Sequence, residues 1–301
     1  MPNSLTIDTH QTAATSMTTC WDYFALFKPR VMALVIFTAW VGATLAPGTL
    51  HPFLYFVSIL CIATGAGASG ALNMWYDRDI DLLMTRTKAR PLPSGRVTPE
   101  DALTLGIILS VGSVITLGFA ANYLAACWLA FTIWFYVVVY TMVLKRSTSQ
   151  NIVIGGAAGA FPPLIGWLAL SPHINVSPFT LFLIIFLWTP PHFWALALCQ
   201  QGDYERASLP MLPNVRGRRA TILQILIYSV LMVIASFLPY MINLLGIIYL
   251  MFAGVLGCFF MFFATKLWRH QATTNAMRLF KFSIFYLFAL FLGILIDHWI
   301  G

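Results

Sequence analysis

The sequence predicts an all-α polytopic membrane protein with nine transmembrane helices, and three observations carry that expectation. Hydrophobic residues make up 59% of the 301-residue chain and charged residues 9%, at a mean hydropathy of +0.82. A soluble domain carries about a quarter of its residues as Asp, Glu, Lys and Arg, so this composition excludes a soluble globular enzyme, a disordered protein and a nucleic-acid binder. Nine apolar runs are each long enough to cross ~30 Å of hydrocarbon as a helix. With nine spans, all 17 Lys and Arg fall on one side of the membrane.

In chain order, a polar tail over residues 1–27 is expected to be disordered and cytoplasmic, and residues 28–301 to form one membrane domain. The helices are expected near 31–48, 52–72, 102–120, 123–144, 152–170, 178–200, 220–240, 243–265 and 282–300. Proline and glycine punctuate several boundaries, as in Ala46-Pro47-Gly48 and Ser171-Pro172-His173. Residues 1–20 contain no Lys or Arg and match neither a secretory signal nor an organellar presequence. This points to the inner (plasma) membrane of a bacterium. Basic residues gather in cytoplasmic loops, which places the N-terminus in the cytoplasm and the C-terminus in the periplasm. The net charge of +7 is thus read as topology rather than as affinity for nucleic acid. Five scattered cysteines without a CxxC pair imply no disulfide framework.

Nine of the ten acids share the basic side. The exception, Asp297 beside His298, reads as an interfacial helix end. Five of the nine cluster at two helix ends: Asp77, Asp79 and Asp81 after the second span, Asp203 and Glu205 after the sixth. That spacing suggests two four-helix pseudo-repeats plus a ninth helix, around a cavity open to the cytoplasmic side. At helical pitch Asn73, Asp77 and Asp81 fall within about 80° of arc and span ~12 Å, with Asp79 pointing away. Such a stripe suits a hard cation like Mg²⁺, which binds through one or two carboxylates and completes its shell with water and phosphate oxygens. A solvated loop whose acids pair with neighbouring bases is the plain alternative.

The residues that follow favour a site. Arg86, Lys88, Arg90 and Arg96 come directly after the acids in loop 73–101, and Pro91, Pro93 and Gly95 shape that loop as a lid. Arginine forks bind phosphoryl oxygens, so carboxylates and bases together can form a metal–diphosphate site. In loop 201–219, Asp203 and Arg206 offer the same pair of chemistries. The sixth span carries Pro190-Pro191 in mid-helix, which predicts a kink beside a cavity, and His192 at membrane depth, a candidate ligand or a packing histidine. Gly155, Gly156 and Gly159 on the fifth span read as a close-packing face.

Together these motifs resemble the UbiA superfamily of intramembrane prenyltransferases. Its NxxxDxxxD motif matches Asn73, Asp77 and Asp81, and MxRTxxRPL matches Met84, Arg86, Thr87, Arg90, Pro91 and Leu92. Further matches are Tyr140 with Lys145-Arg146, the run Asn151 to Gly156, Trp188 to Trp194, Asp203-Tyr204 with Arg206-Ala207, and Pro210 to Pro213. Many members carry a second DxxxD. Here Ala207 follows Asp203 at +4, a form similar to the heme-modifying branch and poorer in carboxylate.

The resemblance implies transfer of a farnesyl group from farnesyl diphosphate to a vinyl group of heme B, with water addition. It implies Mg²⁺ held by Asn73, Asp77, Asp81 and Asp203, and diphosphate held by Arg86, Lys88, Arg90, Lys145, Arg146 and Arg206. Tyr140, Trp188, His192 and Phe193 would line the prenyl or acceptor pocket, with His192 facing heme iron or a propionate. Heme B is then a substrate, lipid is the surroundings, and association with a downstream heme-modifying enzyme is a family expectation. Two rival readings are a prenyltransferase acting on a quinone precursor and, from another class, a transporter of phosphorylated metabolites.

Overall fold

The structure, a computed structural model, describes residues 18–300, and every regular element among them is helical. The elements are α1 (Cys20–Leu26), α2 (Pro29–Leu45), α3 (Pro52–Tyr76), α4 (Arg78–Leu83), α5 (Pro99–Ala120) and α6 (Tyr123–Trp134). A π-helix over Phe135–Leu144 continues α6 into α7 (Lys145–Ser147). There follow α8 (Asn151–Leu170), α9 (Val176–Cys199), α10 (Gln201–Arg206), α11 (Leu212–Ala235), α12 (Leu238–Met241), α13 (Ile247–His270) and α14 (Thr273–Ile300). By length and composition eight helices can cross a membrane, and a ninth if α1 and α2, bent by 55° at Lys28, count as one.

Local chemistry explains the ends. Proline opens α2, α3 and α5 at the position where its missing N–H costs nothing. Side chains of Thr98, Asn122 and Asn175 accept from the first-turn N–H groups of α5, α6 and α9. Asp297 sits in the last turn of α14. It is buried, and its carboxylate accepts from Gly246 N (2.6 Å) and Tyr249 N (3.0 Å), capping α13 from the far end of α14.

In each half of the bundle the second span packs on the third and the third on the fourth: α3 on α5 and α5 on α6, then α9 on α11 and α11 on α13. The halves meet where α2 crosses α8, and α14 closes against α9, α13 and α2. The α2–α8 crossing is close because glycine allows it. A Cβ on Gly42 would lie 2.1 Å from the Pro163 carbonyl oxygen, and one on Gly166 would lie 2.1 Å from that of Ala39.

One sequence expectation needs correction. Of the tail 1–27, residues 1–17 lie outside the described residues, but Cys20–Leu26 is helical rather than disordered. Its first turn is fixed by Asp22, which accepts from Thr19 N and Oγ1 and pairs with Arg96 Nε at 2.6 Å. Leu26 is buried with Ala71, Met74, Leu92, Val97 and Ala102, which ties α1, α3, the loop and α5 together. Pro190-Pro191 lie inside the continuous helix α9, which packs against α8, α11 and α14. At the basic end of the bundle Lys28, Arg90 and Lys145 converge on Asn73, Asp81 and Asp77. A groove of about 620 Å³ opens between α1 and α5, lined by residues such as Tyr23, Phe27, Asp101 and Leu105.

Candidate active site

Helix α3 ends at Asp77 with near-helical dihedrals, so its ladder continues into α4: Asp77 N donates to Asn73 O (3.0 Å) and Asp81 N to Asp77 O (2.9 Å). This keeps residues 73, 77 and 81 on one face. Asn73, Asp77 and Asp81 are all buried, whereas the Asp79 side chain between them is 60% exposed.

Two carboxyl groups inside a bundle need polar compensation. Lys145 Nζ pairs with Asp77 Oδ2, and Arg90 Nη1 lies 2.6 Å from Asp81 Oδ2. Asn73 Nδ2 donates to Asp77 Oδ2 (2.8 Å) and to Thr141 Oγ1 (3.0 Å), while Lys28 Nζ donates to Asn73 Oδ1 at 2.5 Å. Thr141 in turn donates to Tyr136 O, five residues back, at 2.8 Å. That bond follows the wide turn of the π-helix, a feature common at functional sites. Arg146 grips exposed Asp79 with both nitrogens (2.7 and 2.8 Å) and lies 4.9 Å over the Tyr76 ring. The hydrogen bonds from Arg146 hold the Asp79 carboxyl below its usual range.

The second acidic end is built separately. Asp203 accepts from Arg86 N at 3.3 Å and pairs with Arg206, whose Nη2 also donates to Thr85 Oγ1 at 3.0 Å. Burial raises the Asp203 carboxyl, but hydrogen bonds from Arg86 and Thr85 and the charge of Arg206 bring it below its usual value. Arg86 and Lys88 are exposed.

The four expected metal ligands are therefore not assembled as one set: no group of three Asp, Glu, His or Cys side chains converges among the described residues. The physical reason is that the expected phosphate ligands Lys145, Arg90 and Arg206 are bonded to the expected metal ligands Asp77, Asp81 and Asp203. The donor chemistry still fits a hard cation. Asp77 Oδ1 and Asp81 Oδ1 are buried and accept no hydrogen bond, Arg146 Nη2 standing 3.7 Å from the former, an expensive arrangement unless a bound positive group completes it.

The expected pocket residues divide. Tyr140 stacks on Tyr136 at 5.4 Å, and its ring occupies the space a side chain on Gly155 would take. Both tyrosines stand within electrostatic reach of Asp77. Trp188, His192 and Phe193 lie on the α9–α14 seam. The His192 ring stacks between Trp188 (4.3 Å) and Phe280 (4.7 Å), with Phe193 edge-on at 5.0 Å. No hydrogen bond or ring contact joins this group to the carboxylates among the described residues. Lys28, Thr141 and Ser283 were absent from the sequence-based set. Only their fold neighbours expose them, although Lys28 does carry a left-handed φ of 53°, a strained value for a non-glycine.

The two acidic ends and their neighbours carry seven bases (Lys28, Arg86, Lys88, Arg90, Lys145, Arg146 and Arg206) against five acids (Asp77, Asp79, Asp81, Asp203 and Glu205), a surplus of two positive charges suited to a polyanion. A model of the UbiA prenyltransferase family matches residues 34–291. The chain belongs to this family. A protoheme IX farnesyltransferase of Parvibaculum lavamentivorans is 55% identical over 284 residues, 93% of this chain and 89% of that one. A protein of the same name from Rhizobium etli is 54% identical over 300 residues, covering 97% and 95%. Two solved structures share the UbiA fold. Digeranylgeranylglyceryl phosphate synthase has a TM-score of 0.76 at 19% identity, covering 92% of this chain and 97% of that one. A UbiA homologue from Archaeoglobus fulgidus, bound to DMAPP and Mg²⁺, has a TM-score of 0.63 at 16% identity, covering 91% and 99%. The chain is accordingly a multi-pass membrane prenyltransferase of the UbiA family.

Proposed function

We propose that the protein transfers the farnesyl group of farnesyl diphosphate to a vinyl group of heme B, with addition of water, releasing diphosphate and giving heme O. The acceptor is supported by relatives 54–55% identical over nearly the whole chain. The donor is supported by one observation above all: two buried carboxylates, each with an oxygen that accepts no hydrogen bond, ringed by Lys145, Arg90 and Arg146.

Asp77 and Asp81, with Asn73 and Asp203 to assist, would hold Mg²⁺. When bound, that ion supplies Lewis-acid neutralisation of the leaving diphosphate. Lys145, Arg90, Arg146 and Arg206 turn from carboxylate to phosphate oxygens and hold the leaving group, with Arg86 and Lys88 at the exposed rim. As the allylic C–O bond breaks, the electron pair leaves with diphosphate, and Tyr140 and Tyr136 offer their faces to the farnesyl cation. The terminal vinyl carbon of heme captures that cation. Water then adds to the resulting carbocation beside the porphyrin and loses a proton. Trp188, Phe193 and His192 serve the acceptor, and the apolar bundle keeps water away until carbon–carbon bond formation.

The site-bearing end is read as cytoplasmic and the membrane as the bacterial inner membrane, supported by the one-sided bases. Association with a downstream heme-modifying enzyme belongs to the same reading and is supported by resemblance alone. Purified protein in nanodiscs, given heme B, farnesyl diphosphate and Mg²⁺, should yield heme O by mass spectrometry. Prenylation of a quinone precursor without heme O would replace this acceptor with the rival one.

A further inference from the structure

We propose that His192 is an axial ligand to the iron of the heme acceptor, which rests on the heme reading above and adds how that substrate is positioned. The argument starts from Ser283. Its hydroxyl has one proton, and Oγ donates it to the Phe280 carbonyl at 2.6 Å. With that proton on the Phe280 carbonyl, an oxygen that can only accept, the 2.6 Å contact between Ser283 Oγ and His192 Nδ1 is assigned its proton on Nδ1. A neutral imidazole protonated at Nδ1 bears its lone pair on Nε2, the arrangement in which histidine binds metals.

That lone pair distinguishes the two ends of a heme. A propionate accepts hydrogen bonds and offers nothing to a bare Nε2, whereas iron accepts the pair directly. The ring is also locked. Trp188 and Phe280 cover its two faces at 18° and 27°, and Trp188 Nε1 is itself fixed by donating to Ser283 O at 2.8 Å. With both faces covered and Nδ1 engaged, the 9% of His192 that remains exposed falls to the edge bearing Nε2. A macrocycle coordinated there lies across the imidazole plane, and Phe193, inclined 85° to that plane and 37% exposed, supplies apolar surface in the same sense. Ser283 is a positioning residue: it never meets the heme but sets the tautomer and orientation of the ring that does.

The test is a heme B titration of the purified full chain in nanodiscs, followed by Soret absorption and electron paramagnetic resonance. Wild-type protein should show a histidine-ligated iron. His192→Ala should lose that signature while still binding farnesyl diphosphate, which confirms its fold, and His192→Gly should regain it on addition of imidazole. Ser283→Ala keeps the ligand but frees its ring, and should weaken heme binding about 10-fold, the scale for losing an outer-shell partner. An identical iron spectrum in wild type and His192→Ala overturns the ligand while heme O formation upholds the enzyme. Absence of both heme binding and heme O, with another acceptor prenylated, overturns both.

Discussion

Arg90 Nη1 lies 2.6 Å from Asp81 Oδ2, so an expected phosphate ligand and an expected metal ligand are bonded to each other. Lys145 and Asp77 repeat the relationship on the same face. Without diphosphate the bases compete with a metal for the carboxylates. With diphosphate they have somewhere else to go. Inorganic diphosphate should therefore tighten Mg²⁺ binding by about 10-fold or more, within the usual range of coupling between sites, as measured by calorimetry in nanodiscs. Equal Mg²⁺ affinity with and without diphosphate would contradict the exchange.

Asp77 and Asp79 are two residues apart and differ in burial, which predicts opposite sensitivities. Asp77→Asn should lower farnesyl transfer by about 10²–10³-fold, the scale of losing one preorganised electrostatic contact, with thermal unfolding still cooperative. Asp79→Asn should leave the rate nearly unchanged. Because Arg146 lowers the folded-state value of Asp79, its contribution to stability is complete above the unfolded value of about 4 and is lost as pH falls through the lower folded value. The side chain is largely exposed, so that contribution is below about 1 kcal/mol. The melting-temperature gap between wild type and Asp79→Asn should be small at pH 7 and should close on acidification below pH 4.

At the α2–α8 crossing, Gly42→Ala places a methyl 2.1 Å from a backbone oxygen that cannot swing aside. It should destabilise the bundle by about 1–3 kcal/mol or more. Gly112→Ala has nothing within 4 Å and should be tolerated. Paired thermal melts in one detergent compare them directly, and equal melting temperatures would refute the close crossing.

Asp297→Ala removes the acceptor for Gly246 N and Tyr249 N. Tyr249 N, a buried donor, loses its partner at about 1–3 kcal/mol, and the more exposed Gly246 N loses its own at smaller cost. The variant should melt lower than wild type yet retain its affinity for farnesyl diphosphate, because the cap lies at the opposite end from the carboxylates. Lost substrate affinity at unchanged stability would reverse that assignment.

The membrane class and the Asn73–Asp77–Asp81 stripe were legible because hydropathy and helical pitch depend only on neighbours in sequence. The short helix α1 was not, since its stability comes from Arg96, 74 residues away. Asp297 looked peripheral because its partners, Gly246 and Tyr249, belong to another helix. Lys28 looked like topology alone until the bend after α1 brought its ammonium to Asn73. The stripe could be read as a ligand set, but its residual pairing with Lys145 and Arg90 could not, because those contacts cross between elements.

The π-helix from Phe135 to Leu144 makes the spacing of this segment as consequential as its side chains. Residues before it pack on α5 and α8, while Thr141 and Lys145 serve the carboxylates. Deleting any one residue in the segment, even an outward-facing valine, would rotate everything beyond it by about 100°. The chain would still be apolar enough to span a bilayer, yet Lys145 would leave Asp77. A single-codon deletion here would be invisible to hydropathy and fatal to the reaction, so homologues should vary freely in the identity of these residues but hardly at all in their number.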